Sequence, residues 1–219
     1  MDLLKHMRMV PNDEIAEICS TYPRRFIPFA GLDISDPDPR SALREMERCV
    51  GKLGFKGVNV EPGISSRSQA ADDPSLFPIY ARCQELGVPL SLSLSIMIAD
   101  TLHHCHPDAV HRVARSFPNL PIIVSHACWP WVEQAIGVAL ACPNVYLSLD
   151  FYVTMRMPGH TSFVEAANSM LGDRLLYGTA YPGGLPFMET LRRWRELPFR
   201  SDVIDKILGA NAVKLLKLD

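Results

Sequence analysis

Two histidine settings carry most of the chemistry this 219-residue sequence can offer. His126 follows the apolar run Ile122-Ile123-Val124-Ser125 and precedes Ala127-Cys128-Trp129-Pro130, so it stands where a strand ends. Imidazole titrates near neutral pH, and at such a position it can act as a general base or donate a hydrogen bond to substrate. The plainer reading is a histidine hydrogen-bonded within its own loop. The second setting is the tract His103-His104-Cys105-His106. Short His/Cys-rich tracts can bind metal, but this one lacks a separated second pair, and adjacent side chains rarely converge on one tetrahedral ion. Solvated loop histidines are the expectation.

Other candidates surround these. Asp150 closes the run Val145–Leu149 and either orients a histidine, meets a substrate hydroxyl or caps a turn. Glu61, ahead of Pro62-Gly63, is open between a substrate contact and a turn. Arg67 and Arg156 lie in long loops, where a guanidinium can grip a carboxylate through two parallel hydrogen bonds; solvated arginines are the alternative. Trp129, Tyr152 and Tyr181 can form an aromatic wall or pack within proline-rich loops. No G-x-S-x-G elbow is present, so nucleophilic serine catalysis has no motif support. Without G-x-G-x-x-G or G-x-x-x-x-G-K-[ST], nucleotide binding loses its main support as well.

The elements that must position these residues follow one rhythm. Apolar, β-rich runs at Phe26–Leu32, Gly57–Val60, Pro89–Ile96, Pro121–Ser125, Val145–Leu149 and Leu175–Gly178 alternate with helical periodicity. Asp38-Pro39 opens one helix and Gly54 stops it; Asp73-Pro74 and Gly87 repeat the device. Further helices fit Asn12–Tyr22, Pro107–Phe117, Trp131–Ala141, Phe163–Leu171, Pro186–Leu197, Ser201–Leu208 and Ala210–Leu216, with Met188, Leu191, Trp194 and Leu197 as one core stripe. Strand–helix alternation means parallel strands with helical crossovers, hence one α/β domain over residues 1–219. Ser91, Ser93 and Ser95 alternate with Leu90, Leu92 and Leu94, so the serines face a lumen if the sheet closes.

Composition narrows the class. Hydrophobic residues make up 47% and charged residues 21%, close to globular norms, and the net charge of −2 leaves no basic face for nucleic acid. Six scattered cysteines without a C-x-x-C pair read as reduced thiols in a cytoplasmic protein. Met1–Val10 is basic and amphipathic but lacks the apolar core of a signal peptide. Val88–Ala99, interrupted by three serines, is too short to span a bilayer, so no membrane partner is expected.

The segments Pro23-Arg24-Arg25-Phe26-Ile27, Gly54-Phe55-Lys56-Gly57-Val58, Phe117-Pro118-Asn119-Leu120 with Ser125-His126, Tyr177-Gly178-Thr179-Ala180-Tyr181-Pro182 and Leu208-Gly209-Ala210-Asn211-Ala212 occur in an order that resembles amidohydrolase-related proteins. The branch is that of aromatic-acid and aminocarboxymuconate-semialdehyde decarboxylases and lactone hydrolases. The resemblance runs from about Asp13 to Leu218 and implies a TIM-barrel-like (β/α) metallo-hydrolase fold, with six strands matching the family's third to eighth and the first two lacking. It also implies a divalent metal such as zinc, held by a His-x-His on the first strand, histidines ending the fifth and sixth, and an Asp after the eighth. Imidazoles and a carboxylate hold such an ion with one position open for water. Carried onto this chain, the fifth-strand position is Ser93, the sixth is His126 and the Asp position is Ala180, so no bound metal or other cofactor is expected. The resulting expectation is a degenerate member acting as a binding or complementing subunit. The alternative is a hydrolase or decarboxylase/lyase of a small carboxylated or aromatic substrate, metal-free or with a rebuilt metal site. His126 and Asp150 would be catalytic, with Glu61, Trp129, Arg156 and Tyr181 binding substrate. Unpaired sheet edges imply a homo-oligomer or complementing partner, and Asn12–Tyr22 is placed to plug part of the gap.

Overall fold

The computed structural model describes residues 10–218, so most of the Met1–Val10 segment lies outside the described residues. Six strands form the sheet: β1 (Phe29–Gly31), β2 (Gly57–Val60), β3 (Leu90–Ser93), β4 (Ile122–Ser125), β5 (Val145–Leu149) and β6 (Leu175–Tyr177). Every neighbouring pair is parallel, and spatial order equals chain order. A doubly wound sheet reverses its strand order at a switch point. This one never reverses, which is the progression of a (β/α) barrel, yet β1 and β6 remain as two edges and the sheet is open.

Ten helices accompany the strands among the described residues: α1 (Asn12–Thr21), α2 (Arg40–Gly51), α3 (Phe77–Leu86), α4 (Pro107–Ser116), α5 (Val132–Ala141), α6 (Phe151–Thr154), α7 (His160–Ala166), α8 (Phe187–Glu196), α9 (Ser201–Asp205) and α10 (Asn211–Leu216). Asp38 and Asp73 accept from the backbone N–H two residues on, and Gly54 and Gly87 take left-handed φ values of 74° and 66°. The glycine stops therefore work as read, while the starts are offset: Pro39 precedes α2, and Asp73 caps the single 3-10 turn Pro74–Leu76 that leads into α3. Leu90, Leu92 and Leu94 are buried against the helices, and Ser91 and Ser125 pair on the opposite face at 3.2 Å. Among the described residues, no helix is long and apolar enough to cross a membrane.

Several boundaries differ from the reading of the sequence. The first strand keeps three of its seven expected residues, because β1 has one neighbour and Phe26 and Ile27 stand exposed ahead of Pro28. The third ends at Ser93, where Ser95 turns off to bond Tyr152. The helices expected at Phe163–Leu171 and Ser201–Leu208 start as α7 and α9 and widen into π-type turns at Ala167–Leu171 and Lys206–Ala210. Met188 is 70% exposed rather than core; Trp194 and Leu197, the latter just past α8, are buried as expected, with Thr190 joining them at i, i+4 and i+7.

Candidate active site at the strand ends

β4 and β5 are parallel neighbours in register, Ser125 beside Ser148, so the residues just beyond them meet at one end of the sheet. Beyond Ser125, His126, Ala127 and Cys128 all adopt left-handed φ, at 68°, 46° and 53°. Each such non-glycine residue costs about 1–2 kcal/mol. Ala127 and Cys128 are buried, so packing holds the turn in place against that strain. The turn sets the His126 ring against Asp150 at the end of β5.

His126 Nδ1 contacts Asp150 Oδ2, with the side chains 16% and 5% exposed. Nδ1 has no aligned hydrogen bond, so the contact is one of proximity. The other carboxylate oxygen, Oδ1, accepts from the Tyr152 N–H at 3.3 Å. Asp150 thus lies beside the histidine and caps α6.

Tyr152 joins the group more closely than an aromatic wall requires. Its hydroxyl lies 3.0 Å from Ser95 Oγ, its ring stacks on Trp129 at 4.8 Å, and its edge meets His126 at 6.0 Å. Trp129 is itself pinned by a 2.9 Å bond from Nε1 to the Pro158 carbonyl. Burial pushes the Tyr152 phenol above its ordinary pKa, keeping it a neutral donor. Burial also pushes the Cys105 thiol up to about 11 and Cys128 higher still, so neither supplies a thiolate. Imidazole, carboxylate and phenol remain, a set suited to moving protons. The sequence pattern gave Tyr152 no hydrogen-bonding role; its signal was the spacing Asp150-x-Tyr152 directly after a strand.

The other expected site residues lie elsewhere. Glu61 lines an open cleft of about 450 Å³ at the ends of β1 and β2, with Asp33, Asn59, Ser65 and Ser66, while His126 is outside that lining. Arg156, exposed and left-handed at φ 53°, borders a second cleft of about 220 Å³ with Arg192, Arg193 and Glu196. Tyr181 is 68% exposed and outside the Trp129–Tyr152 stack. Arg67 is held within its own loop by Gln69, Ser75 and Asp73.

A divalent metal of the kind the resemblance implies does not fit these donors. Ser93 is a weak ligand and Ala180 is none. Among the described residues, no three His, Cys, Asp or Glu side chains converge to hold an ion.

Fold and site together give a (β/α)-barrel-type protein with a histidine, a carboxylate and a phenol gathered at the C-terminal ends of its strands, the end where barrel enzymes place their chemistry. Residues 4–218 match the amidohydrolase family, and the chain belongs to it. It is 34% identical over 253 aligned positions to the 2-amino-3-carboxymuconate-6-semialdehyde decarboxylase of Dictyostelium discoideum, covering all of this chain and 67% of that protein. It is 27% identical to the gamma-resorcylate decarboxylase of Polaromonas, over 95% of this chain and 75% of that one. A TIM-barrel protein of Bordetella bronchiseptica superimposes with a TM-score of 0.89 at 36% identity, over 95% of this chain and 72% of its own.

Proposed function

We propose that this chain binds a small aromatic or unsaturated carboxylic acid beside the His126–Asp150–Tyr152 group and transfers a proton to it, as a decarboxylase or related lyase, without the family's metal. The observation carrying this reading is the His126 imidazole set against the buried Asp150 carboxylate at the strand mouth. Held against Asp150, the imidazole can deliver a proton to the ring carbon bearing the substrate's carboxylate. The carbon–carbon bond then breaks, carbon dioxide leaves, and its bonding electrons restore the π-system. Trp129, stacked on Tyr152, offers the flat apolar surface such a substrate needs. The decarboxylase names of the relatives support this substrate class.

The test is carbon dioxide release and ligand-induced thermal shift with a panel of hydroxybenzoates, gamma-resorcylate included. His126→Asn and Asp150→Asn are expected to lose turnover by about 10²-fold or more, the range of a positioned proton donor. Unchanged turnover in both variants overturns the assignment. His126→Ala is the poorer variant, since it leaves the buried Asp150 Oδ2 without a polar neighbour on that side.

A second reading, a binding or complementing subunit, is favoured by Ser93 and Ala180 at positions where the resemblance calls for ligands. Hydroxybenzoate binding that depends on His126, with no carbon dioxide released by the wild type, selects it.

A further inference from the structure

A second polar pair lies at the same end of the sheet, among residues the His126 chemistry leaves unused. Ser68 follows β2 and His104 follows β3. Ser68 Oγ lies 2.8 Å from His104 Nδ1 and 3.0 Å from the Gly63 carbonyl. A hydroxyl has one proton, so rotation about Cβ–Oγ decides which acceptor receives it. Turned towards the imidazole, the pair has the spacing of a nucleophile and its base, about 2.6–3.2 Å. Both side chains are half-buried, so His104 is not the solvated loop histidine the sequence pattern suggested.

Their loops are fixed. Gln69 N–H donates to the Pro62 carbonyl at 3.0 Å, the Asp100 N–H donates to Gly63 at 3.2 Å, and the Arg67 guanidinium binds Gln69, Ser75 and Asp73. At Gly63 a Cβ would stand 3.0 Å from Ala99 Cβ and 3.4 Å from His104 Cβ, so glycine lets the histidine turn close onto the serine loop. The same loop sends Glu61, Ile64, Ser65 and Ser66 into the 450 Å³ cleft.

We propose that Ser68 and His104 form a second reactive site, a serine nucleophile with its base, which accepts an acyl or phosphonyl group from small activated esters. Ser68 Oγ attacks the carbonyl carbon while its proton passes to His104. The bond to the leaving oxygen breaks, and that oxygen takes the proton back from the imidazole. Water attacking the acyl-serine by the same proton route releases the acid and restores the hydroxyl. Uncharged or cationic esters are the class expected, because the neighbouring cleft, lined by Glu61 and Asp33 though not by Ser68 or His104 themselves, presents carboxylates, and Ser35 holds the Asp33 carboxyl below its ordinary pKa.

The site stands independently of the His126 reading and is tested without it. The full chain is treated with an uncharged alkyl fluorophosphonate, whose fluoride leaves as Ser68 Oγ bonds phosphorus, and the adduct is mapped by peptide mass spectrometry. One adduct at Ser68 is expected, absent in Ser68→Ala and formed at least tenfold more slowly in His104→Gln. His104→Asn, which keeps a polar group but no base, decides the point if the glutamine variant fails to fold by circular dichroism. No adduct at Ser68 under conditions that label a serine hydrolase, equal rates in folded His104 variants, or equal labelling of Ser65 and Ser66 overturns the proposal.

Discussion

At the scale of single residues, the site depends on a backbone state that its sequence does not advertise. His126-Ala127-Cys128 holds three consecutive left-handed residues with no glycine or asparagine to announce them. Ala127 is therefore the sharpest probe. Replacing it by glycine relieves about 1–2 kcal/mol of left-handed strain but gives up a buried methyl worth about 0.8 kcal/mol. The two nearly cancel, so Ala127→Gly is expected to shift unfolding free energy by less than about 1 kcal/mol in urea titrations. Ala127→Val adds a β-branch to a left-handed residue in a filled space and should cost more than about 2 kcal/mol. A valine variant as stable as wild type would show that the turn is not held as described. His126 and Asp150 were legible because each directly ends a strand and consecutive parallel strands bring such ends together. Tyr152 and Ser95 were not, since their bond depends on β3 ending early and on the short helix α6.

At the scale of elements, two of the four interior strands, Gly57–Val60 and Val145–Leu149, have the extents their apolar runs imply, while the edge strand β1 is cut short. A run read as a strand needs ladder partners, and the pattern of one segment does not count its neighbours. What replaces the missing partner at β1 is a side chain. The Asn12 amide, at the start of α1, donates to the Gly31 carbonyl and accepts from the Gly31 N–H, both at 3.0 Å. That reproduces one rung of a ladder, so α1 covers part of the edge as expected. Asn12 also donates to Glu45 at 2.8 Å. Glu45 is held at about 2, well below its ordinary 4.5, first by the hydrogen bond from Arg48, then by those from Asn12 and Cys49. A depressed carboxylate contributes stability that is complete above pH 4.5 and disappears as pH falls towards 2. Asn12→Ala should cost about 1–3 kcal/mol near neutral pH, the penalty for stranding buried polar groups. It should also flatten the fall in stability between pH 5 and 2.5, because Glu45 loses one of the bonds that depress it. Urea midpoints across that range check both effects; an unchanged slope would mean that Asn12 does not act through Glu45.

At the scale of the whole molecule, the strand order was legible and the openness of the sheet has consequences for association. Six parallel strands in chain order leave the outer sides of β1 and β6 without ladder partners among the described residues. Asn12 satisfies one rung at β1, and Asn211 donates to the Gly172 and Leu175 carbonyls at 2.8 Å beside β6. These amides blunt the edges at single points, whereas unprotected edges promote pairing with other chains. Apolar side chains are exposed on both flanks: Ile18, Tyr22, Phe26 and Ile27 on the approach to β1, and Phe187 and Met188 beyond β6. Tyr22 and Phe26 pack edge to face at 6.4 Å, so these two form one exposed apolar patch. Burying such a patch is worth roughly 25 cal/mol per Å² of apolar surface, and soluble proteins rarely leave large ones open. We therefore expect the chain to self-associate, with a light-scattering mass of a dimer or more at micromolar concentration. Phe26→Glu should return it towards the monomer mass, since a carboxylate would have to be desolvated at the contact, while its exposed position leaves the fold intact. A wild-type chain that stays monomeric would show that the Asn12 and Asn211 amides suffice to protect these edges.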